Sequence, residues 1–89
     1  MPTISMFYGI LILIFYRDKA QHNLPHIHAR YQGFKASLAI EDGSVLDGEL
    51  PARQRRMVQV WMDIHREELL ADWELAVSGE EPFRIDPLK

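Results

Sequence analysis

Gly9-Ile10-Leu11-Ile12-Leu13-Ile14-Phe15-Tyr16 is an unbroken apolar run, rich in the β-branched and aromatic side chains that suit a pleated, buried surface. It reads as the central strand of a sheet. Side chains alternate along a strand, so Ile10, Ile12, Ile14 and Tyr16 line one face while Leu11, Leu13 and Phe15 line the other. Both faces are apolar and both need cover. A chain of 89 residues supplies only one layer of helix on such a sheet, which leaves the second face to a partner. Leu11, Leu13 and Phe15 are therefore the expected interface, facing a second copy of the chain in a homo-oligomer (a dimer) or a small cognate protein.

Outward from this run, residues 1–8 read as a short lead-in, with Tyr8-Gly9 as a bend or bulge before the main strand. Downstream, residues 17–25 are polar and end in Pro25, as surface loops do. Residues 26–31 then alternate, and Gln32-Gly33 is a two-residue turn into residues 34–41. That register pairs Tyr31 with Phe34, Ala29 with Ala36 and Ile27 with Leu38. Ile27, Ala29, Tyr31, Phe34, Ala36, Leu38 and Ile40 make the core face, and His26, His28, Arg30, Lys35, Ser37, Ala39 and Glu41 share the opposite one. Asp42-Gly43 is the strongest turn signal; a type I′ turn there sets Ile40 opposite Val45 and starts a fourth strand over residues 44–49.

Pro51 suits a first helical position, where its missing N–H costs nothing, and residues 52–78 contain neither glycine nor proline before Gly79 stops the helix. Met57, Val60, Trp61 and Ile64 fall on one stripe, whereas Leu69, Leu70, Trp73, Ala76 and Val77 fall on another, about 120° or more away at 100° per residue. One straight helix cannot bury both, so a break is expected near His65-Arg66, with Trp61 and Trp73 as the largest core fillers. Phe83, Ile85 and Leu88 suggest a tail lying back on the domain. The expected architecture is a single α+β domain over residues 1–89: a four-stranded antiparallel meander sheet with one bent or two consecutive C-terminal helices packed on one face.

Composition narrows the functional classes. The chain has no cysteine, which removes disulfides and thiolate chemistry and fits a reducing cytoplasm. Its apolar run is too short to span a bilayer and lacks the basic start of a signal peptide, so a soluble cytoplasmic protein with no membrane partner is expected. The net charge of −3 draws no nucleic acid by itself, and any such contact needs a local basic patch. Phosphate-loop and dinucleotide glycine patterns are absent and no cofactor is expected. The serines lack a nucleophile-elbow context.

The chemistry-bearing group is His26-Ile27-His28, with His22 upstream. Imidazoles at this spacing share one strand face and suit metal binding or proton transfer near neutral pH. Three readings stay open. His22, His26 and His28 form the start of a metal site, with Asp18, Glu41 and His65 as unlinked further ligands. Alternatively, His26, His28 and Arg30 serve a metal-independent ribonuclease, a histidine moving the 2′-hydroxyl proton while Arg30, Lys35 or Arg17 stabilises the phosphorane. In the third, the histidines only bond loop backbone or fill an interface. Separately, Arg53, Arg55 and Arg56 crowd the first turns of the helix, where each opposes the helix dipole by about 0.3–1 kcal/mol. An anion or nucleic-acid contact would compensate; so would pairing with Glu49, Asp47 or the acidic tail.

Met1-Pro2-Thr3-Ile4-Ser5, Pro25-His26-Ile27-His28-Ala29, Gly48-Glu49-Leu50-Pro51, and Trp61 followed by the run from His65 to Glu74 together resemble a bacterial family known as domain of unknown function DUF4160. The resemblance covers nearly the whole chain. It implies a protein encoded beside another small protein, in the manner of toxin-antitoxin pairs, and assigns no catalytic residue. Leu24 and Ile27 stand where the family often has a proline and an aromatic. Leu11 and Leu13 stand where relatives often carry polar residues, which makes the second strand face unusually apolar here. The leading expectation is a protein that works by association, with the ribonuclease and a metal-binding module as alternatives.

Overall fold

Five antiparallel strands form one meander, β1 (Thr3–Phe7), β2 (Ile10–Leu13), β3 (His26–Tyr31), β4 (Phe34–Ala39) and β5 (Val45–Glu49), paired in chain order. Two helices follow, α1 (Ala52–Ile64) and α2 (Arg66–Val77). The computed structural model describes residues 3–15 and 24–89; Tyr16 and the polar segment 17–23 lie outside them. The class is α+β as expected, but the sheet has five strands, not four, and β3 rather than the Ile10–Leu13 strand is its middle.

The additional strand comes from Tyr8-Gly9. Both residues have positive φ, 51° and 79°, and Phe7 pairs directly with Ile10, so the expected bend is a tight hairpin turn that makes a strand of the lead-in. The Gln32-Gly33 turn behaves the same way, with φ of 45° and 86° and Tyr31 opposite Phe34. A bulge between Thr3 and Ser5 lets both Ile4 and Ser5 turn inward.

The second long hairpin differs from its expected form. Asp42 is not at positive φ; its Oδ1 accepts the Ser44 N–H at 2.9 Å, and this bond holds its carboxyl below the usual range. The loop widens, and Leu38 rather than Ile40 faces Val45. Ile40 is engaged elsewhere: its N–H donates to the Pro25 carbonyl at 2.9 Å and its carbonyl accepts from Arg66 Nε at 3.0 Å. Two rungs on, past a bulge between Leu38 and Ser37, Gly48 sits opposite Ala36 with φ of 75°, so close that a Cβ would lie 2.2 Å from the Lys35 carbonyl oxygen.

Ile10, Ile12, Ile14, Ile27, Ala29, Ala36, Leu38 and Ile40 form one buried cluster with Val58, Trp61, Met62, Leu69, Trp73 and Ile85. The helices thus cover a single face of the sheet. They part at His65, as the two divergent stripes require, and Glu67 and Glu68 occupy the first turn of α2, where the helix dipole favours them. Pro51 caps α1 from one position earlier than expected. α1 is also rotated from the expected stripe: Val58, Trp61 and Met62 are buried while Val60 and Ile64 are exposed. In this rotation Gln59 Nε2 donates to the Gly43 carbonyl at 2.9 Å. Leu70 and Val77 of α2 are likewise exposed. Gly79, at φ of 80°, ends α2 in a Schellman motif, with Glu80 N–H on the Leu75 carbonyl and Gly79 N–H on that of Ala76.

The tail does lie back on the domain. Ile85 N–H donates to the Ile4 carbonyl at 2.8 Å, Trp61 Nε1 to the Asp86 carbonyl at 2.8 Å, and Phe83 N–H to Asp72 Oδ1 at 2.9 Å. Asp72 is 2% exposed and its Oδ2 has no partner. Burial pushes this carboxyl above its usual range against the opposing Phe83 N–H, and Glu68 adds to the rise.

Two outcomes follow from these contacts. Gly48→Ala must push the β4 backbone away and adopt a strained φ, so urea denaturation is expected to show a loss of more than about 2 kcal/mol. For Asp72, the folded state holds its proton more tightly than the unfolded chain. That contribution is complete below the unfolded value of 3.8 and fades as pH rises through the higher folded value. The melting temperature of the wild type relative to Asp72→Asn should therefore rise as pH is lowered from 7 towards 4, and a pH-independent difference would contradict this.

Candidate functional site

The outer face of the sheet, away from the helices, is ordered in two cross-strand rows. One runs Leu13, His28, Ser37, Asp47 and the other Leu11, Arg30, Lys35, Glu49. Between them lies an open cleft of about 400 Å³ bordered by His28, Arg30, Lys35, Ser37, Asp47 and Gly48. The β3–β4 register agrees with the expected pairing at every rung, so His28, Arg30, Lys35 and Ser37 meet on one surface as the alternation requires. Asp47 is the member the sequence reading missed. The widened Asp42 loop sets Leu38 opposite Val45, and a bulge before the next rung brings Asp47 beside Ser37; the Asp-Gly-Ser order, in which an Asp carboxylate takes the N–H two residues on, signals the loop but not the bulge.

His28 is held on two sides. Its ring stacks on Phe15 with centroids 4.2 Å apart and planes 6° from parallel, and its Nδ1 shares a hydrogen bond of 3.2 Å with Ser37 Oγ. His26 is placed quite differently. It is fully buried and its Nδ1 donates to the Leu24 carbonyl at 2.8 Å. Its ring lies 5.1 Å from Trp73 and 5.1 Å from His28. Trp73, His26, His28 and Phe15 thus make a continuous ring column from the helical core to the cleft. His26 supports this column from below, and His28 is the imidazole that borders the cleft.

The proposed metal set divides in the same way: His22 lies outside the described residues, while His26 and His28 stand edge to face. Among the described residues, no three His, Asp or Glu side chains converge as a cation site would require. His65 is spent at the helix junction, where its Nδ1 donates to Glu68 Oε1. Of the expected interface residues, Leu13 is already 3% exposed, whereas Leu11 and Phe15 are half-buried. Met6, opposite Leu11, is 60% exposed and extends the apolar end of the row.

Arg53 and Arg56 are exposed and Arg55 is half-buried in the first turns of α1, which carry no acidic residue. Among the described residues, no carboxylate lies within ion-pair distance of these three or of Arg30 and Lys35; the pairs present are His65–Glu68 and Arg66–Asp63. No helix among them is long and apolar enough to cross a membrane.

A five-stranded meander, backed by a helix pair on one face and grooved on the other, defines a small α+β class. Within it, the model for the domain of unknown function DUF4160 matches residues 9–74, and the chain belongs to that family. The matched span runs from the β1–β2 turn into α2 and includes every residue bordering the cleft. No curated protein and no solved structure matches the chain.

The two histidines should separate in a stability measurement. His26→Ala empties a buried site and orphans the Leu24 carbonyl, a loss of about 2–4 kcal/mol in urea denaturation. His28→Ala, from a half-buried site, is expected to cost clearly less. Equal costs would remove the distinction between supporting and cleft imidazole.

Proposed function

We propose that this protein acts by association, docking the open face of its sheet against a small cognate protein or a second copy of the chain, as one component of a toxin-antitoxin-like pair. The observation that carries this reading is the one-sided helical cover: the row Met6, Leu11, Arg30, Lys35, Glu49 faces outward without a helix over it. Apolar side chains occupy the β1–β2 end of that row and charged ones the β3–β5 end, a mixture common in interfaces that form and dissociate. Because Leu13 is covered, the contact centres on Met6, Leu11 and Phe15. The family resemblance, with members encoded beside another small protein, supports a neighbour-encoded partner.

The cleft favours a second reading. In a metal-independent ribonuclease, His28 would move the 2′-hydroxyl proton while Arg30 and Lys35, which border the same cleft, hold the phosphorane charge. His26, being fully buried, would act there only by positioning His28.

Co-expression with the neighbouring small protein, followed by light scattering after size exclusion, tests association. A stable complex or dimer is expected, weakened at least about tenfold by Met6→Glu with Leu11→Glu, which corresponds to about 1.4 kcal/mol. A monomer at 100 µM that captures no neighbour would overturn it. Growth arrest with RNA decay on induction, abolished by His28→Ala, would instead establish the enzyme.

A further inference from the structure

Half of the chain's ten Lys and Arg residues gather at one end of the sheet, although the net charge is −3. Arg30 and Lys35 face each other across the last rung but one before the β3–β4 turn. β5 ends at Glu49, opposite Lys35, and leads within a few residues into α1, so Arg53, Arg55 and Arg56 emerge at the same end. Glu49 is the acid of that end, with Asp47 two rungs further; neither lies within ion-pair distance of the five cations. Like charges directly opposite on neighbouring strands are unfavourable, as are cations at a helix start, and the cations outnumber the acids, so the fold keeps a net positive end.

Aromatic rings end the same strands: alternation puts Tyr31 and Phe34 on the helix-side face at this end, with Arg30 and Lys35 on the outer one. The β1–β2 turn reaches the same end: a Cβ at Gly9 would lie 3.5 Å from the Tyr31 ring. Tyr8 is 58% and Phe34 39% exposed, and Tyr31 is half-buried between them and the core. Cations tracking a phosphate chain, with exposed rings on which bases stack, are the combination that binds single-stranded nucleic acid without reading its sequence.

We propose that the end of the sheet formed by Tyr8, Arg30, Phe34, Lys35, Arg53 and Arg56 binds single-stranded nucleic acid. The site shares Arg30 and Lys35 with the open face described above but does not rest on that association: its readout is binding by the isolated chain, through variants at Arg53, Arg56 and Phe34 that lie outside the Met6–Leu11 contact. The probes are fluorescein-labelled 15-mers of uridine and of thymidine, followed by anisotropy. Saturable binding is expected at 50 mM salt, weakening with a log–log salt slope of about 2–3.5 for three to five phosphate contacts. Arg53→Glu with Arg56→Glu should weaken it at least about tenfold, and Phe34→Ala about five- to hundredfold. Arg84→Glu, on the tail beside Thr3 at the opposite end, should leave it within about twofold.

All three variants alter exposed side chains, and circular dichroism verifies that they fold. Preference for uridine over thymidine would identify RNA as the source of the strand, and the reverse DNA. The proposal fails if neither oligomer saturates, if Arg84→Glu weakens binding as much as the arginine pair, or if a duplex binds equally and Phe34→Ala changes nothing. It also fails if polyglutamate binds this end while both oligomers do not, which would make the occupant an acidic protein segment.

Discussion

Trp61 is the contact on which the separate elements of this small protein converge. Its indole is fully buried, packs 5.3 Å from Phe7 of β1, and lies 5.5 Å from His65 at the helix junction. Its N–H reaches the carbonyl of Asp86 in the tail. One side chain therefore joins sheet, both helices and C-terminal strap. A domain of this size buries a modest share of its surface, so a single large ring with its polar atom satisfied has unusual weight. The tail bonds at Ile4 and Asp72 complete the same closure around it.

Closing the core on one side has a consequence for the other. Each residue that β3 and β4 turn towards the helices forces its neighbour outward, so apolar packing of Ile27, Ala29, Ala36 and Leu38 sets His28, Arg30, Lys35 and Ser37 on the open face. The cleft is thus a geometric by-product of the core, and its floor is shaped by Gly48, whose missing side chain permits close approach to Lys35 and Ala36. The ring column from Trp73 through His26 to His28 gives the cleft an aromatic link to the core.

What could be read beforehand depended on how local the determining force was. The Gln32-Gly33 hairpin was legible to the rung because alternation and turn agree there, and the helix break at His65 followed from two stripes that no single rod can bury. The Tyr8-Gly9 turn was harder to see, since tyrosine rarely takes positive φ and the sequence around it resembles a bulge. At Asp42-Gly43 the commonest hairpin signal misled. A two-residue turn there would have set Asp47 and Glu49 opposite Leu38 and Ala36, on the buried face, a conflict between turn preference and burial that burial won. On α1 the stripes through Met57 and Val58 share Trp61, and the choice between them is tertiary: Val58 and Met62 fill the core and Gln59 meets the Gly43 loop, neither of which helical periodicity contains.

The same distinction between local and tertiary forces explains the arginines. Sequence proximity offered Glu49, Asp47 or the tail as partners for Arg53, Arg55 and Arg56, yet the tail is fixed on the core through its backbone, the Phe83 N–H on Asp72 of α2 and the Asp86 carbonyl on the Trp61 N–H. Glu49 lies opposite Lys35 in the outer row, at the end where β5 leads into α1, and Asp47 lies opposite Ser37, further from that end. Surface pairs are worth at most about 1 kcal/mol each, whereas the positions of β5, α1 and the strap are set by strand register and by burial around Trp61, so charge pairing does not decide where the arginines lie and the positive end persists.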